Sequence, residues 1–202
     1  MQKAIVVLAI VAFASVASAQ NLMINELMYK DNNGGGDWIE IYNDGAVPID
    51  LTGMYLVDGD PGVPHPTHPP CSLAGTLNPG EILVVVADFN DFGAVYPGVT
   101  NLNANAFDPD GLGFGLGGGG DTIFILDEFD AVVFTMTYDD NDPWPTEPDG
   151  DGPSLLLVTT GCADFSDAAC WTAGEDGGTP GILTGTVPNE ETSWGSVKSL
   201  FR

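Results

Sequence analysis

INELMYKDNNGGGDWIEIYNDGAVPIDLTGMYLVD, residues 24–58, is the stretch from which the fold can be read. Apolar and polar residues alternate there in short runs separated by Gly, Asn and Asp. Residues 24–29 read as a strand, 32–36 as a turn built from residues that tolerate left-handed backbone, and 38–43 as the returning strand of a hairpin. The second strand puts Trp38, Glu40 and Tyr42 on one side and Ile39, Ile41 and Asn43 on the other, the period of a sheet with one covered face. Asn43, Asp44 and Gly45 then turn the chain into residues 47–51.

The same grammar continues on both sides of a proline-rich interruption. Residues 59–80 contain too many prolines for a central strand and read as an extended surface connection. EILVVVAD, residues 81–88, is the most continuously apolar run after residue 20 and predicts a strand covered on both faces. Residues 89–105 wander through Gly, Pro and Asn, and 107–120 (FDPDGLGFGLGGGG) predict a short strand at 112–116 followed by a glycine turn. Those glycines are not a phosphate loop, because no Lys-Ser/Thr pair and no helix pattern follow them. Residues 123–126 and 131–138 predict a further hairpin turned at 127–130, and 154–158 the last core strand. With no helix pattern of useful length beyond residue 20, the chain reads as an all-β sandwich.

Several motifs now stand in a recognisable order: INE at 24–26, DWIEIYN at 37–43, IDLTGMYLVD at 49–58 and NPGE at 78–81 before ILVVV. GGDT at 119–122 before IFILD, DGDGPSLLL at 149–157 and GTPG at 178–181 complete it. Over residues 22–183 this order resembles a lamin-tail domain of the secreted bacterial kind. The resemblance implies an immunoglobulin-like β-sandwich that is not itself catalytic and serves as an interaction module. It marks Glu26, Trp38, Glu40, Asn43, Gly53 and Asp121 as structural residues of the motif set. Strand placement suggests that Glu26, Glu40 and Asn43 satisfy backbone groups at the end of the sandwich rather than perform acid–base work.

A chain of 202 residues accommodates one well-buried domain. Residues 1–19 pair a single Lys3 with an apolar run and end on small residues, the pattern of a leader peptide cleaved before Gln20. The apolar run is shorter than the roughly 20 residues a membrane-spanning helix needs. The expected organisation is therefore a signal peptide at 1–19, a sandwich domain at 20–183, a linker at 184–189 and a short tail at 190–202. Loss of Lys3 with the leader leaves three basic residues against 29 acids, a net charge of −26. A chain so poor in Lys and Arg cannot neutralise phosphates, which excludes nucleic acid as a partner. The acidity has two readings, solubility in a salty or divalent-rich medium or specific Ca²⁺ sites.

Candidate chemistry is sparse. Cys162 and Cys170 bracket one short loop, and in an oxidising compartment they are the expected disulfide, although Cys71 competes as a partner for either. Asp139, Asp140, Asp142, Asp149 and Asp151 share one Gly- and Pro-rich loop and are the candidate Ca²⁺ ligands; no other cofactor is indicated. His65, His68 and Cys71 have the spacing of a partial zinc or copper set, without an evident fourth ligand. Trp38, Tyr42, Tyr55, Trp144 and Trp171 are candidates for a sugar-stacking platform or for packing. No G-x-S-x-G or H-E-x-x-H occurs, and no catalytic residue is assigned. The expectation is a non-catalytic secreted or cell-surface module binding a protein, polysaccharide or envelope component; the alternative is a secreted glycan or phosphoester hydrolase with an unrecognised carboxylate site. In the tail, Trp194, Val197, Leu200 and Phe201 form an approximate helix stripe beside Lys198 and Arg202. It reads either as a segment packed on its own sandwich or as a sorting or docking peptide.

Overall fold

The computed structural model describes residues 21–60, 62–64 and 68–185. The leader at 1–19, His65 and the tail at 190–202 lie outside the described residues. In chain order the strands are β1 (Leu22–Met28), β2 (Trp38–Asn43), β3 (Ile49–Asp50), β4 (Tyr55–Asp60), β5 (Val63–Pro64), β6 (Cys71–Ser72), β7 (Thr76–Leu77) and β8 (Ile82–Val86). One helix, α1 (Phe89–Val95), precedes β9 (Asp121–Leu126), β10 (Val132–Tyr138), β11 (Pro153–Leu157) and β12 (Trp171–Asp176).

Two sheets face each other as an immunoglobulin-like β-sandwich. The first runs β12-β11-β1-β2-β8 and the second β10-β9-β4-β5, with β6 also paired to β4; β3 and β7 form a separate ribbon. The antiparallel registers place Ile39 and Ile41 of β2, Leu155 and Leu157 of β11, and Ile123 and Ile125 of β9 in one shared core. Alternation in β10 sends Phe134, Met136 and Tyr138 into that core while Thr135 and Thr137 face outward.

Several sequence expectations change. β2 is buried on both faces rather than one, because a second cluster of Met28, Trp38, Val84, Val86 and Phe92 covers the outer side of the first sheet. Phe92 comes from α1, which lies where an irregular stretch was expected. Asp88 caps it, its side chain accepting from the N–H groups of Asn90 and Asp91. No strand forms at 112–116. The backbone donors there go to side chains instead: Gly113 N–H to Asp108 Oδ1 at 2.8 Å and Leu116 N–H to Asp37 Oδ2 at 3.1 Å. β11 is not the last core strand, since β12 follows and pairs with it from Leu157↔Trp171 to Pro153↔Asp176.

Edges are managed explicitly. The free side of β8 is covered by the segment after α1, with Val84 N–H bonded to Asn101 O and Asn103 N–H to Val84 O. The free side of β10 meets Ser166, whose Oγ accepts from Thr137 N–H at 2.9 Å, while Phe165 packs on Phe134.

Candidate functional site

The most buried titratable groups of the described chain belong to the fold. Glu26 and Glu40 are opposite each other in the β1–β2 register and both are at 0 % exposure on the outer face of the first sheet. A one-residue bulge at Asn25 frees its side chain to donate to Glu40 Oε1 at 2.7 Å. Glu26 accepts from Ser154 Oγ, from Thr179 N–H at 2.9 Å and from Thr179 Oγ1 at 2.7 Å. Glu40 Oε2 accepts from Gly181 N–H at 2.9 Å. The two carboxyls thus draw the GTPG segment, residues 178–181, across the sheet and close the domain. Burial raises the Glu26 carboxyl above its ordinary value and, with the Glu26 charge adding to it, pushes Glu40 up to about 8. Gly178 fits there only as glycine: its φ is +69° and an added Cβ would lie 2.6 Å from Trp38 Cζ2.

The other motif residues do similar work. Asn43 donates to Val47 O and Leu77 O, both at 2.9 Å, and accepts from Gly45 N–H, joining β2 to the β3–β7 ribbon. Gly53 turns at φ +84° beside Glu128, and Asp121 Oδ2 accepts from Gly117 N–H at 3.0 Å.

Of the five aspartates expected as Ca²⁺ ligands, Asp139 and Asp140 both accept from the Asn141 side chain. Among the described residues no group of three or more His, Cys, Asp or Glu side chains converges as a metal site. Asp149 pairs with Lys30 of the β1–β2 connection. Asp139 accepts from the side chain and the N–H of Asn141, which hold its carboxyl below the usual range. Asp139 and Asp140 thus serve the turn at Asn141, and Asp149 a lysine.

Cys162 and Cys170 form a disulfide, and Cys71 is a buried free thiol pushed up to about 12 by burial. Asn103 Nδ2 lies 3.7 Å from its sulfur, and His68 faces Asp58 at 3.3 Å instead. Of the aromatic candidates, Trp38, Tyr42 and Trp171 are packed inside, while Trp144 is half-buried against Trp171. Tyr55 lines a concave surface.

That surface lies on the outer face of the second sheet. Tyr55, Val57, Phe124 and Leu126 form a third apolar cluster separate from the core. Pro64, His68 and Pro70 wall a cleft of about 530 Å³ whose floor is Tyr55, Val57 and Leu126, with Asp130 at its rim. The Tyr55 hydroxyl donates to Asp130 Oδ1 at 2.7 Å; burial, then the Asp130 carboxylate, push the phenol up to about 12, so it stays a donor. Asp130 holds a left-handed φ of 63°, uncommon for a residue with a side chain. The β9–β10 turn is tied down by Asp127, whose Oδ1 accepts from the N–H groups of Phe129 and Ala131 at 2.9 Å. On this fixed tip Phe129 is 79 % exposed, and Val132, paired with Leu126 on the same face, is 51 % exposed. The arrangement offers apolar area, one rigid phenol and carboxylates, and no nucleophile with an activating base. Sequence reasoning named Tyr55 but missed Asp130, Phe129 and Val132; a phenylalanine inside an acidic hairpin turn was the available signal.

A β-sandwich whose buried carboxylates serve closure and whose concave outer face carries an exposed aromatic is an immunoglobulin-like module, a class not defined by catalysis. The chain belongs to the lamin tail domain family: the family model matches residues 15–140. No curated protein and no solved structure matches the chain. No helix among the described residues is long and apolar enough to cross a membrane.

Proposed function

We propose that the chain is a secreted, non-catalytic interaction module that docks on an extracellular protein, polysaccharide or envelope component through the Tyr55 cleft. The leader at 1–19 directs export and is removed before Gln20, and residues 20–183 form the working domain. The observation that carries this reading is the exposed Phe129 beside the Tyr55–Asp130 pair. A lone exposed side chain would need no explanation, but Phe129 and Val132 adjoin Tyr55 and Leu126 of the cleft, so that the apolar surface left in water there is more than one residue. The cystine Cys162–Cys170 agrees with an oxidising compartment.

The test compares retention of the full chain on cells or isolated envelope material with that of Phe129→Ser and Tyr55→Ala. The expected result is a loss of at least about tenfold in bound protein, the scale of one interface hot spot, with little change in melting temperature. Undiminished retention in both variants would overturn the assignment of the cleft. Turnover of a glycan, phosphoester or peptide substrate that is lost on an Asp→Asn change would overturn the non-catalytic reading.

A further inference from the structure

Charge is segregated along this chain. Residues 21–185 carry 27 of the 29 acids, the other two being Glu190 and Glu191, and only one of the four Lys and Arg residues. That one, Lys30, is already paired with Asp149. Lys198 and Arg202 sit in the tail beside Trp194, Val197, Leu200 and Phe201. One part of the molecule is therefore an acidic domain with an open apolar cleft, and the other a basic segment rich in large apolar residues.

The cleft suits such a segment. Its floor of Tyr55, Val57 and Leu126 and its proline walls accept aliphatic or aromatic side chains. Asp130, the acid that lines the cleft, supplies countercharge for a Lys or Arg head whose stem lies on apolar surface. Tyr55 adds an aromatic ring to the same lining, and Phe129 stands exposed one residue from Asp130. A neutral sugar would leave this countercharge unused, and an anionic one would be repelled.

The exit point of the chain decides which tail reaches which cleft. Residues 178–185 cross the outer face of the first sheet: Thr179 and Gly181 bond Glu26 and Glu40, and Gly185 lies against Leu156 and the Leu157 carbonyl. The cleft is on the outer face of the second sheet. Both sheets, about 10 Å apart, and their covering layers stand between. Lys198 is thirteen positions beyond Gly185, a span of at most about 45 Å when fully extended. The chain's own cleft is reached only by a path around the rim, whereas the cleft of a neighbouring molecule needs no detour.

We propose that residues 192–202 of one copy seat in the Tyr55–Asp130 cleft of a second copy, so that the partner of this module is the chain itself, joined head to tail. Such a heterologous contact does not close on two copies and propagates as an open string unless its rotation makes a ring. The inference rests on the reading of the cleft as a docking surface.

The experiment is sedimentation velocity of the full secreted chain over a concentration series at low and high NaCl. Self-association is expected, and it should weaken at least about tenfold on raising salt from about 0.05 to 0.5 M, as an acid–base contact near the surface does. Phe129→Ser/Tyr55→Ala, altering the cleft, and Lys198→Glu/Arg202→Glu, altering the tail, should each be monomeric. Mixed in equal amounts, the two variants retain one intact tail and one intact cleft and should form a dimer and nothing larger. A monomeric wild type at all concentrations, association that persists in the tail variant, or no dimer on mixing would overturn the inference. Amide protection at residues 124–132 that is lost in the tail variant yet independent of dilution would place the tail in its own cleft and likewise overturn the second copy. If wild type stays monomeric while retention on envelope material still depends on Phe129, this inference fails and the proposed docking surface stands.

Discussion

Glu26 and Glu40 are direct cross-strand partners in β1 and β2, both fully buried, with Lys and Arg absent from their hydrogen-bond partners. Like charges so placed repel, and burial penalises each charge separately, so at least one carboxyl keeps its proton well into the neutral range.

The first prediction follows from that pair. Glu40 rises from 4.5 in the open chain to about 8 in the fold. The folded state thus holds the proton more tightly than the unfolded state, so its stabilising effect is complete below about pH 4.5 and is lost as pH climbs to about 8. The linked loss is on the order of 4 kcal/mol. Glu26 shifts the same way, and Asp37, raised to about 7 chiefly by burial, adds to the slope. Urea midpoints measured from pH 5 to 9 should fall with pH, and Glu40→Gln should flatten the curve. A midpoint that rises over this window would contradict the assignment.

Gly178→Ala should destabilise the domain by at least about 2 kcal/mol, from left-handed backbone strain plus overlap with the Trp38 ring. Thermal or urea unfolding reads the loss. An unchanged midpoint would mean that the 178–181 segment is not pinned on Trp38.

Reduction of Cys162–Cys170, a separation of 8 residues, should cost about 2 to 3 kcal/mol in the chain-entropy model. The same loop carries Phe165 and Ser166 over the free side of β10. Faster amide exchange at Thr137 after dithiothreitol treatment is the specific sign of that cover loosening. Exchange confined to residues 158–170 would show that the loop contributes nothing to the strand.

Calcium and magnesium at equal ionic strength should raise the melting temperature equally, through screening of the acidic surface, because Asp139 is engaged with Asn141 and Asp149 with Lys30, and no three acidic side chains converge among the described residues. A shift specific to Ca²⁺ and removed by Asp149→Asn would contradict this and restore the loop as a site.

Legibility along the chain followed the strength of the local pattern. β2 came out at 38–43 because a short run rich in β-branched and aromatic residues stands between two turns of Gly, Asn and Asp. The structural role of Glu26 and Glu40 was legible from their strand positions, but their donors were not, since Thr179 and Gly181 lie more than a hundred residues away in sequence. α1 escaped because a seven-residue helix with Gly93 inside has no apolar stripe to show, only the Asp88 cap. β12 escaped because WTAGED ends in acids, as an edge strand facing solvent does. The false strand at 112–116 had the apolar spacing of a strand but gives its N–H groups to Asp108 and Asp37. The cleft is assembled from the proline connection, β4 and the β9–β10 turn, three regions that no local pattern links.

The most direct measurement of the central claim is hydrogen exchange on the full chain with and without isolated envelope material, read by mass spectrometry along the sequence. The docking account predicts protection concentrated at residues 55–57 and 124–132, around Tyr55, Leu126 and Phe129, and its disappearance in Phe129→Ser. Protection confined to residues 139–151, or to the surface between β8 and the 178–185 segment, with the 124–132 region unchanged, would contradict it.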